Sequence, residues 1–486
     1  MTELHTEGTA INLSLISHTN AGKTTLARTL LGRDVGEVRD AAHVTDLASG
    51  YVLVQSGADT LMLWDTPGFG DTARLLDRLR LSGNPIGWML TQVWDRFRER
   101  PLWSSQQAVK NAREQADVIL YLVNAAEDPA AASYVALEMD VLEWIGKPVL
   151  LLLNQMGPPR EDTTDEIMRW QNHLGERGIV AGALPMDAFA RVWVQEGALL
   201  DTVAPLLPPE KAGAMAALKA EWEDINLARF RASMTALAEA LAQAATDRES
   251  VRGSTWRDEL GSALRAGRGE RPETREAMTK LAERLAAGTH SSTDALIQLH
   301  GLSGKASRKV LERIAADYRS EEKTPEGAAA LLGGLASGAV TGLAADLAAG
   351  GLTLGGGMIV GGILGALGGG GLARGINMAK GEDGSVVRWS DDFFADLVGT
   401  SLLRYLAVAH FGRGRGEWEE GEHPAFWHDR VRAVVEKHRE TIDRLHRDAR
   451  RMDAGELAGG IDDVMRQMGA QLLIDLYPKA AQVLSR

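Results

Sequence analysis

The run Ser17-His18-Thr19-Asn20-Ala21-Gly22-Lys23-Thr24-Thr25 constrains this chain more than any other feature. It directly follows an apolar strand-like run, Ala10–Ile16, and opens a helical pattern, Thr24–Leu31. A loop of small residues between a buried strand and a helix is the setting of a phosphate cradle. Backbone N–H groups close around the anion, and the helix N-terminus adds its dipole. Ser17, Asn20, Ala21, Gly22, Lys23, Thr24 and Thr25 form the cradle, with Lys23 reaching the β- and γ-phosphates and the Thr24 hydroxyl ligating Mg²⁺. Glycine is usual where Ser17 stands; a small residue follows the same turn with less freedom at positive φ.

Two further segments complete the pattern. Asp65-Thr66-Pro67-Gly68 closes a third strand-like run, Leu61–Trp64, where an Asp at the strand end holds the Mg²⁺ shell. The Gly68 N–H then meets the γ-phosphate. Thr45 lies in an irregular polar stretch between the two motifs and supplies the hydroxyl of a switch loop, completing the Mg²⁺ and γ-phosphate contacts. The expected catalytic set is Lys23, Asn20, Thr45 and Gly68, and the expected metal set is Thr24, Thr45 and Asp65.

The first two hundred residues alternate strand and helix. Apolar runs at Ala10–Ile16, Tyr51–Gln55, Leu61–Trp64, Val118–Val123, Val149–Leu153 and Ile179–Leu184 predict an α/β domain with a mainly parallel sheet. Ser56-Gly57-Ala58-Asp59 joins the second and third runs tightly, so one edge is expected to be antiparallel. From about Ala212 helix formers dominate; helices are predicted over Ala214–Ala245, Pro272–Ala287 and Lys305–Tyr318, and the stretch Trp389–Arg486 is helical in pattern. The expected domains are 1–208 for the nucleotide domain, 209–326 helical, 327–379 a glycine-rich hydrophobic hairpin, and 380–486 helical.

The motif residues resemble the Era-like (TrmE-Era type) branch of the P-loop GTPases: Asn20–Thr24 for the phosphate loop, Thr45 for the switch Thr, Asp65–Gly68 for the Asp-x-x-Gly. The resemblance covers about residues 10–205 and is closest to a bacterial group in which such a GTPase is fused to a helical domain of unknown function. It implies a Mg²⁺-dependent GTPase, cycling between GTP and GDP. Two departures stand out. The base-reading Asn-Lys-x-Asp becomes Asn154-Gln155-Met156-Gly157 here, so Asn154 is kept but the carboxylate acceptor for guanine is lost, which loosens selectivity and leaves ATP as the other candidate. The stretch Ala183–Asp187 is the best match for the family's other base loop. Phe69 stands where a water-positioning Gln is found, so charge must come from elsewhere. The resemblance implies that Asn20 helps hold a K⁺ ion, with hydrolysis stimulated by K⁺ or by homodimerisation through the GTPase domain.

Segment 327–379 is almost wholly Ala, Gly, Leu, Val and Ile, and carries no charge over Gly351–Ala373. Each half is long enough to span a bilayer, glycines recur at i and i+4, and basic residues flank both sides. This predicts a membrane hairpin with both ends cytoplasmic; a Gly/Ala-rich helical pair buried in the C-terminal region is the competing reading. The role expected is a switch associated with the membrane. The alternative is a soluble GTPase acting in ribosome or RNA-complex assembly, against which a net charge of −13 counts, since phosphate contacts need Lys/Arg excess. The absence of cysteine excludes disulfides, thiolate metal sites and Cys nucleophiles. The polar N-terminus argues against a secretory signal, so the expected location is the cytoplasm or the cytoplasmic face of the inner membrane. Trp88, Trp94 and Trp103 read as packing of an inserted helix, and Arg430–Arg451 as a solvated face. The histidines are assigned no role.

Overall fold

The computed structural model describes residues 8–19, 21–32, 48–70, 72–80, 100–156, 163–174, 177–186, 192–251, 272–302, 376–381, 384–411 and 425–484. They fall into two compact units. The first draws on Met1–Ala228, with additions from Ala409–Pro424 and Leu476–Arg486; the second draws on Arg229–Val408 and Ala425–Asp475.

The first unit is organised by a six-stranded sheet in the order β2-β3-β1-β4-β5-β6. Its strands are β1 (Ala10–Ser17), β2 (Ser49–Ser56), β3 (Asp59–Asp65), β4 (Val118–Asn124), β5 (Val149–Asn154) and β6 (Val180–Pro185). All neighbours run parallel except β2, which pairs antiparallel with β3 across the tight Gly57 turn at φ 58°. A parallel sheet must be covered on both faces, and the apolar runs of β4 and β5 are fully buried along their length. On one face Ile119, Tyr121 and Val123 join Val149, Leu151 and Leu153, alternating along each strand as a pleat requires. They pack with residues of α2 (Thr72–Arg80), α3 (Arg100–Glu114), α4 (Ser133–Ile145) and α5 (Thr164–Leu174). Each such Leu or Ile contributes about 1.5–3 kcal/mol over exposure. Helix α1 (Lys23–Leu31) leaves β1 through the Ser17–Gly22 loop and buries Leu26, Ala27 and Leu30. Helix α6 (Trp193–Val203) packs against the turn at Pro478–Ala480, and His410 Nε2 lies 2.8 Å from the Tyr477 hydroxyl.

Helix α7 (Ala212–Thr246) is followed by β7 (Glu249–Val251) and α8 (Pro272–Leu299), which runs a full three turns past the predicted Ala287. Gly288 costs a helix about 1 kcal/mol relative to Ala, and burial of Thr289, Thr293, Leu296 and Ile297 beyond it carries the helix on. The second unit also contains a feature the helical reading missed. Strands β8 (Ile376–Gly381) and β9 (Gly384–Trp389) pair antiparallel, and β7 adds to β9, giving a three-stranded sheet. The last residues assigned to the glycine-rich segment, Ile376–Ala379, therefore belong to a strand. Helices α9 (Asp391–Ala409), α10 (Ala425–Lys437), α11 (Arg439–Asp448) and α12 (Ala454–Leu476) follow. Residues 303–375, which include the predicted Lys305–Tyr318 helix and most of the hairpin, lie outside the described residues. Among the described residues no helix is long and apolar enough to cross a membrane.

Candidate functional site

The site forms where β1 and β3, adjacent and parallel, both end. Ser17 closes β1, and the chain turns through Gly22, whose φ of 91° needs the freedom of glycine, into α1. The first turn of α1 contains no acidic residue, so its exposed N–H groups and dipole are open to an anion.

Lys23 is buried, and its Nζ donates to Ser17 Oγ at 2.8 Å and to the His18 carbonyl at 3.4 Å. Burial lowers its pKa from 10.5 to about 8, against the pull of Asp65 and Glu138. The Thr24 hydroxyl donates to Asp65 Oδ2 at 2.6 Å. The second Asp65 oxygen, Oδ1, is buried and has no hydrogen-bond partner among the described residues. Burial holds the Asp65 carboxyl above the usual carboxylate range, while Thr24, Lys23 and Arg28 pull it down. A hydroxyl oxygen and an enclosed carboxylate oxygen with spare acceptor capacity form a donor set suited to a hard divalent cation such as Mg²⁺. The residues present fit that ion.

The segment after Asp65 lies against this loop. Thr66 Oγ1 donates to the Leu15 carbonyl at 2.5 Å, and Phe69 N donates to the Ser17 carbonyl at 2.9 Å. Thr19 returns both its backbone N–H and its hydroxyl to the Phe69 carbonyl, at 3.1 and 2.6 Å. A Cβ on Gly68 would stand 2.8 Å from Thr19 Cα and 3.0 Å from Lys23 Nζ, so only glycine fits. Phe69 itself is 0% exposed and packs in the core with Ile16, Leu75 and Leu102.

Asn154 ends β5 fully buried, and its Nδ2 donates to the Ala21 carbonyl at 2.9 Å. The side chain thus reaches back to the phosphate loop, a contact the motif comparison did not predict. Gln155 beside it has φ 56°, a left-handed backbone uncommon for a non-glycine residue. Ala21 lies in the loop and Thr25 in the first turn of α1. Asn20, Thr45, Gly157 and Asp187 lie outside the described residues, as do Trp88 and Trp94.

A group absent from the sequence reading adjoins the loop. Glu138 on α4 is 0% exposed. Its Oε1 lies 2.6 Å from His18 Nδ1 and accepts from the Thr72 hydroxyl at 3.2 Å; its Oε2 accepts from the Tyr121 hydroxyl at 2.5 Å. Burial, reinforced by this carboxylate, holds the Tyr121 hydroxyl protonated far above its usual range. The one available signal was Glu138 standing inside the apolar stripe Val135, Met139, Leu142, where an unpaired charge is costly.

Comparison with known proteins divides the chain in two. Residues 12–155 match the family model described as 50S ribosome-binding GTPase, and residues 183–473 match the one described as domain of unknown function DUF3482. Among curated proteins none matches. Solved structures with a similar part include an Era variant from Aquifex aeolicus bound to GDP·AlF4⁻, at 19% identity and TM-score 0.30, covering 41% of this chain and 57% of that one. Era in complex with MgGDPNP and nucleotides 1506–1542 of 16S ribosomal RNA is similar at 18% identity and TM-score 0.30, covering 41% and 58%. A variant of SsGBP is similar at 15% identity and TM-score 0.27, covering 41% and 57%. The chain spans a little over half the length of these structures.

Proposed function

The chain belongs to the family defined by the domain of unknown function DUF3482, here preceded by an Era-like P-loop GTPase domain, and from that premise we propose that it is a GTP-binding and GTP-hydrolysing switch. One observation carries the reading. Lys23, the Thr24–Asp65 pair with its unsatisfied Oδ1, and the crowded Gly68 converge on the N-terminus of α1 at the ends of two adjacent parallel strands. In that arrangement Lys23 neutralises the β- and γ-phosphates, Ser17, Ala21, Gly22 and Thr25 shape the cradle, and the Gly68 N–H reads the γ-phosphate. Thr24 and Asp65 would hold Mg²⁺, which when bound offsets charge on the phosphate oxygens. Thr45 would complete that shell. The reaction is phosphoryl transfer to water, driven by positioning and charge stabilisation. Potassium held with the help of Asn20 would supply part of the charge. Asn154 serves the site through the phosphate loop, and with Gly157 in the base motif GTP is the preferred but not the sole nucleotide.

The test is turnover of GTP with and without Mg²⁺ by the full chain and by Lys23→Ala. Mg²⁺-dependent turnover that disappears in K23A supports the reading; equal phosphate release by both proteins sinks it.

The output of the switch is a membrane, in this reading, because segment 327–375 is uncharged over most of its length, rich in closely spaced glycine, and flanked by lysine and arginine. A position at the cytoplasmic face of a membrane goes with that reading. Liposome flotation of the full chain and of a variant lacking 327–375, each with GDP and a non-hydrolysable GTP analogue, decides it. The deletion stops before Ile376 to spare β8. Flotation of the full chain alone is expected. If neither floats, the membrane role falls; GTP-dependent co-sedimentation with ribosomes would put the assembly role in its place.

A further inference from the structure

Glu138 joins three segments that reach it from different parts of the chain. His18 belongs to the phosphate loop, Thr72 opens α2 just after the Asp65–Gly68 motif, and Tyr121 lies in β4. A carboxylate enclosed at zero exposure costs several kcal/mol unless its lone pairs are satisfied, and here His18, Thr72 and Tyr121 satisfy them. Tyr121 is a rigid strand anchor. His18 and Thr72 are not: they flank the parts of the site expected to respond to the γ-phosphate.

The contacts close into a ring. Lys23 Nζ donates to the His18 carbonyl, His18 Nδ1 meets Glu138 Oε1, and Thr72 shares its one hydroxyl proton between the same oxygen and the Gly70 carbonyl at 3.1 Å. Gly68 then brings the chain back against Lys23 and Thr19. The far side of the segment is fixed as well, since Gly70 N donates to Ser105 Oγ on α3 at 3.1 Å. Displacing the Gly68–Thr72 segment therefore shifts Thr72 relative to Glu138, and through that carboxylate the phosphate loop at His18.

We propose that Glu138 is a positioning residue for hydrolysis, coupling the segment that reads the γ-phosphate to the phosphate loop through His18 and Thr72. The proposal rests on the GTPase reading above and assigns to Glu138 no contact with nucleotide. His18 carries its share through geometry, with its ring also lying against Tyr134 at 4.3 Å between centroids, tilted by 37°.

The experiment measures nucleotide affinity, single-turnover GTP hydrolysis at saturating Mg²⁺ and nucleotide, and melting temperature. The proteins are the full chain, Glu138→Gln, His18→Asn, Thr72→Val and the H18N/T72V double variant. Small misplacements of reacting groups cost up to about a hundredfold in rate. E138Q is expected to lose roughly ten- to a hundredfold in the hydrolysis rate while nucleotide affinity stays within about threefold. Because both side chains act through one carboxylate, the double variant should lose no more than the worse single variant. E138Q hydrolysing at the wild-type rate overturns the proposal, and so do losses in H18N and T72V that simply multiply. A purely structural Glu138 would lower melting temperature and affinity together, which also overturns it. Should E138Q fail to fold, the His18/Thr72 cycle decides alone. A wild-type chain that binds GTP but never hydrolyses it overturns the GTPase reading and this one with it, and that arm is read first.

Discussion

Replacing Asn154 by Ala tests what that residue is for. Its Nδ2 lies 2.9 Å from the Ala21 carbonyl, fully buried, one residue before the left-handed Gly22 turn into α1. The same atom would stand 2.8 Å from a Cβ on Gly22, so the amide is seated directly against the loop. Removing it takes a donor from a partly buried carbonyl, at a cost of up to about 1–3 kcal/mol. The free loop can relax to recover part of that cost, but phosphate binding must draw it back into the cradle. The affinity for nucleotide should then fall by roughly 5- to 150-fold, taking about 1.4 kcal/mol per factor of ten. Because the tether acts on the phosphate loop, the loss should be the same for GTP and for tripolyphosphate, which has no base. Displacement of a fluorescent GDP analogue by each ligand measures this, with a melting curve to confirm the fold. If GTP weakens while tripolyphosphate does not, Asn154 reads the base and the tether reasoning is wrong. If neither weakens, the hydrogen bond carries no function.

Three further outcomes follow from the same geometry. Lys23 sits at about pH 8 rather than 10.5 because burial disfavours its charged form, and bound phosphate favours that form. Above pH 8 binding must take up a proton, so Kd should rise by up to tenfold per pH unit toward pH 10; calorimetry in two buffers of different ionisation heat reads the uptake, and a flat profile from 7 to 9.5 would refute it. By linkage the unfolded chain binds a proton between 8 and 10.5 that the folded chain does not, so this group adds stability to the ligand-free protein as pH rises through that window. Asp65→Asn should leave nucleotide binding insensitive to Mg²⁺, with turnover down at least about a hundredfold, since it removes the unsatisfied carboxylate oxygen; a Mg²⁺ titration that still tightens binding would contradict the assigned ligand. Gly68→Ala forces a Cβ to 2.8 Å from Thr19 Cα, so hydrolysis should fall about tenfold or more through misplacement while GDP affinity changes little, and wild-type turnover would show that the segment yields.

The elements that build the candidate site were largely legible because they are local. A strand run, a small-residue loop and a helix start lie within Ala10–Leu31, and the β2–β3 hairpin declares itself by the Gly57 turn. Glu138 was not legible, because its meaning comes from His18, far away in sequence, and from Thr72 and Tyr121 on other elements. Asn154 was recognised by motif, but its contact with Ala21 depends on β5 ending beside the phosphate loop. In the second unit β8 and β9 were hidden by the Ala/Gly run before them and by the pairing of β9 with β7, more than a hundred residues earlier in the chain. Strand identity of that kind is conferred by a distant partner rather than by periodicity. The helix predicted to end at Ala287 runs on to Leu299, because the burial of residues between Thr289 and Ile297 carries it past Gly288.

The first unit has a consequence for how the protein is made. Its sheet is encoded entirely before Ala228, yet the turn at Pro478–Ala480 that packs against α6 emerges from the ribosome only about 250 residues later. At roughly 5–20 residues per second that interval is some 12–50 s. During it the phosphate loop is complete in sequence while α6 still lacks that turn, so ligand arriving in this period would meet a domain whose loop is built and whose α6 is not yet fully packed.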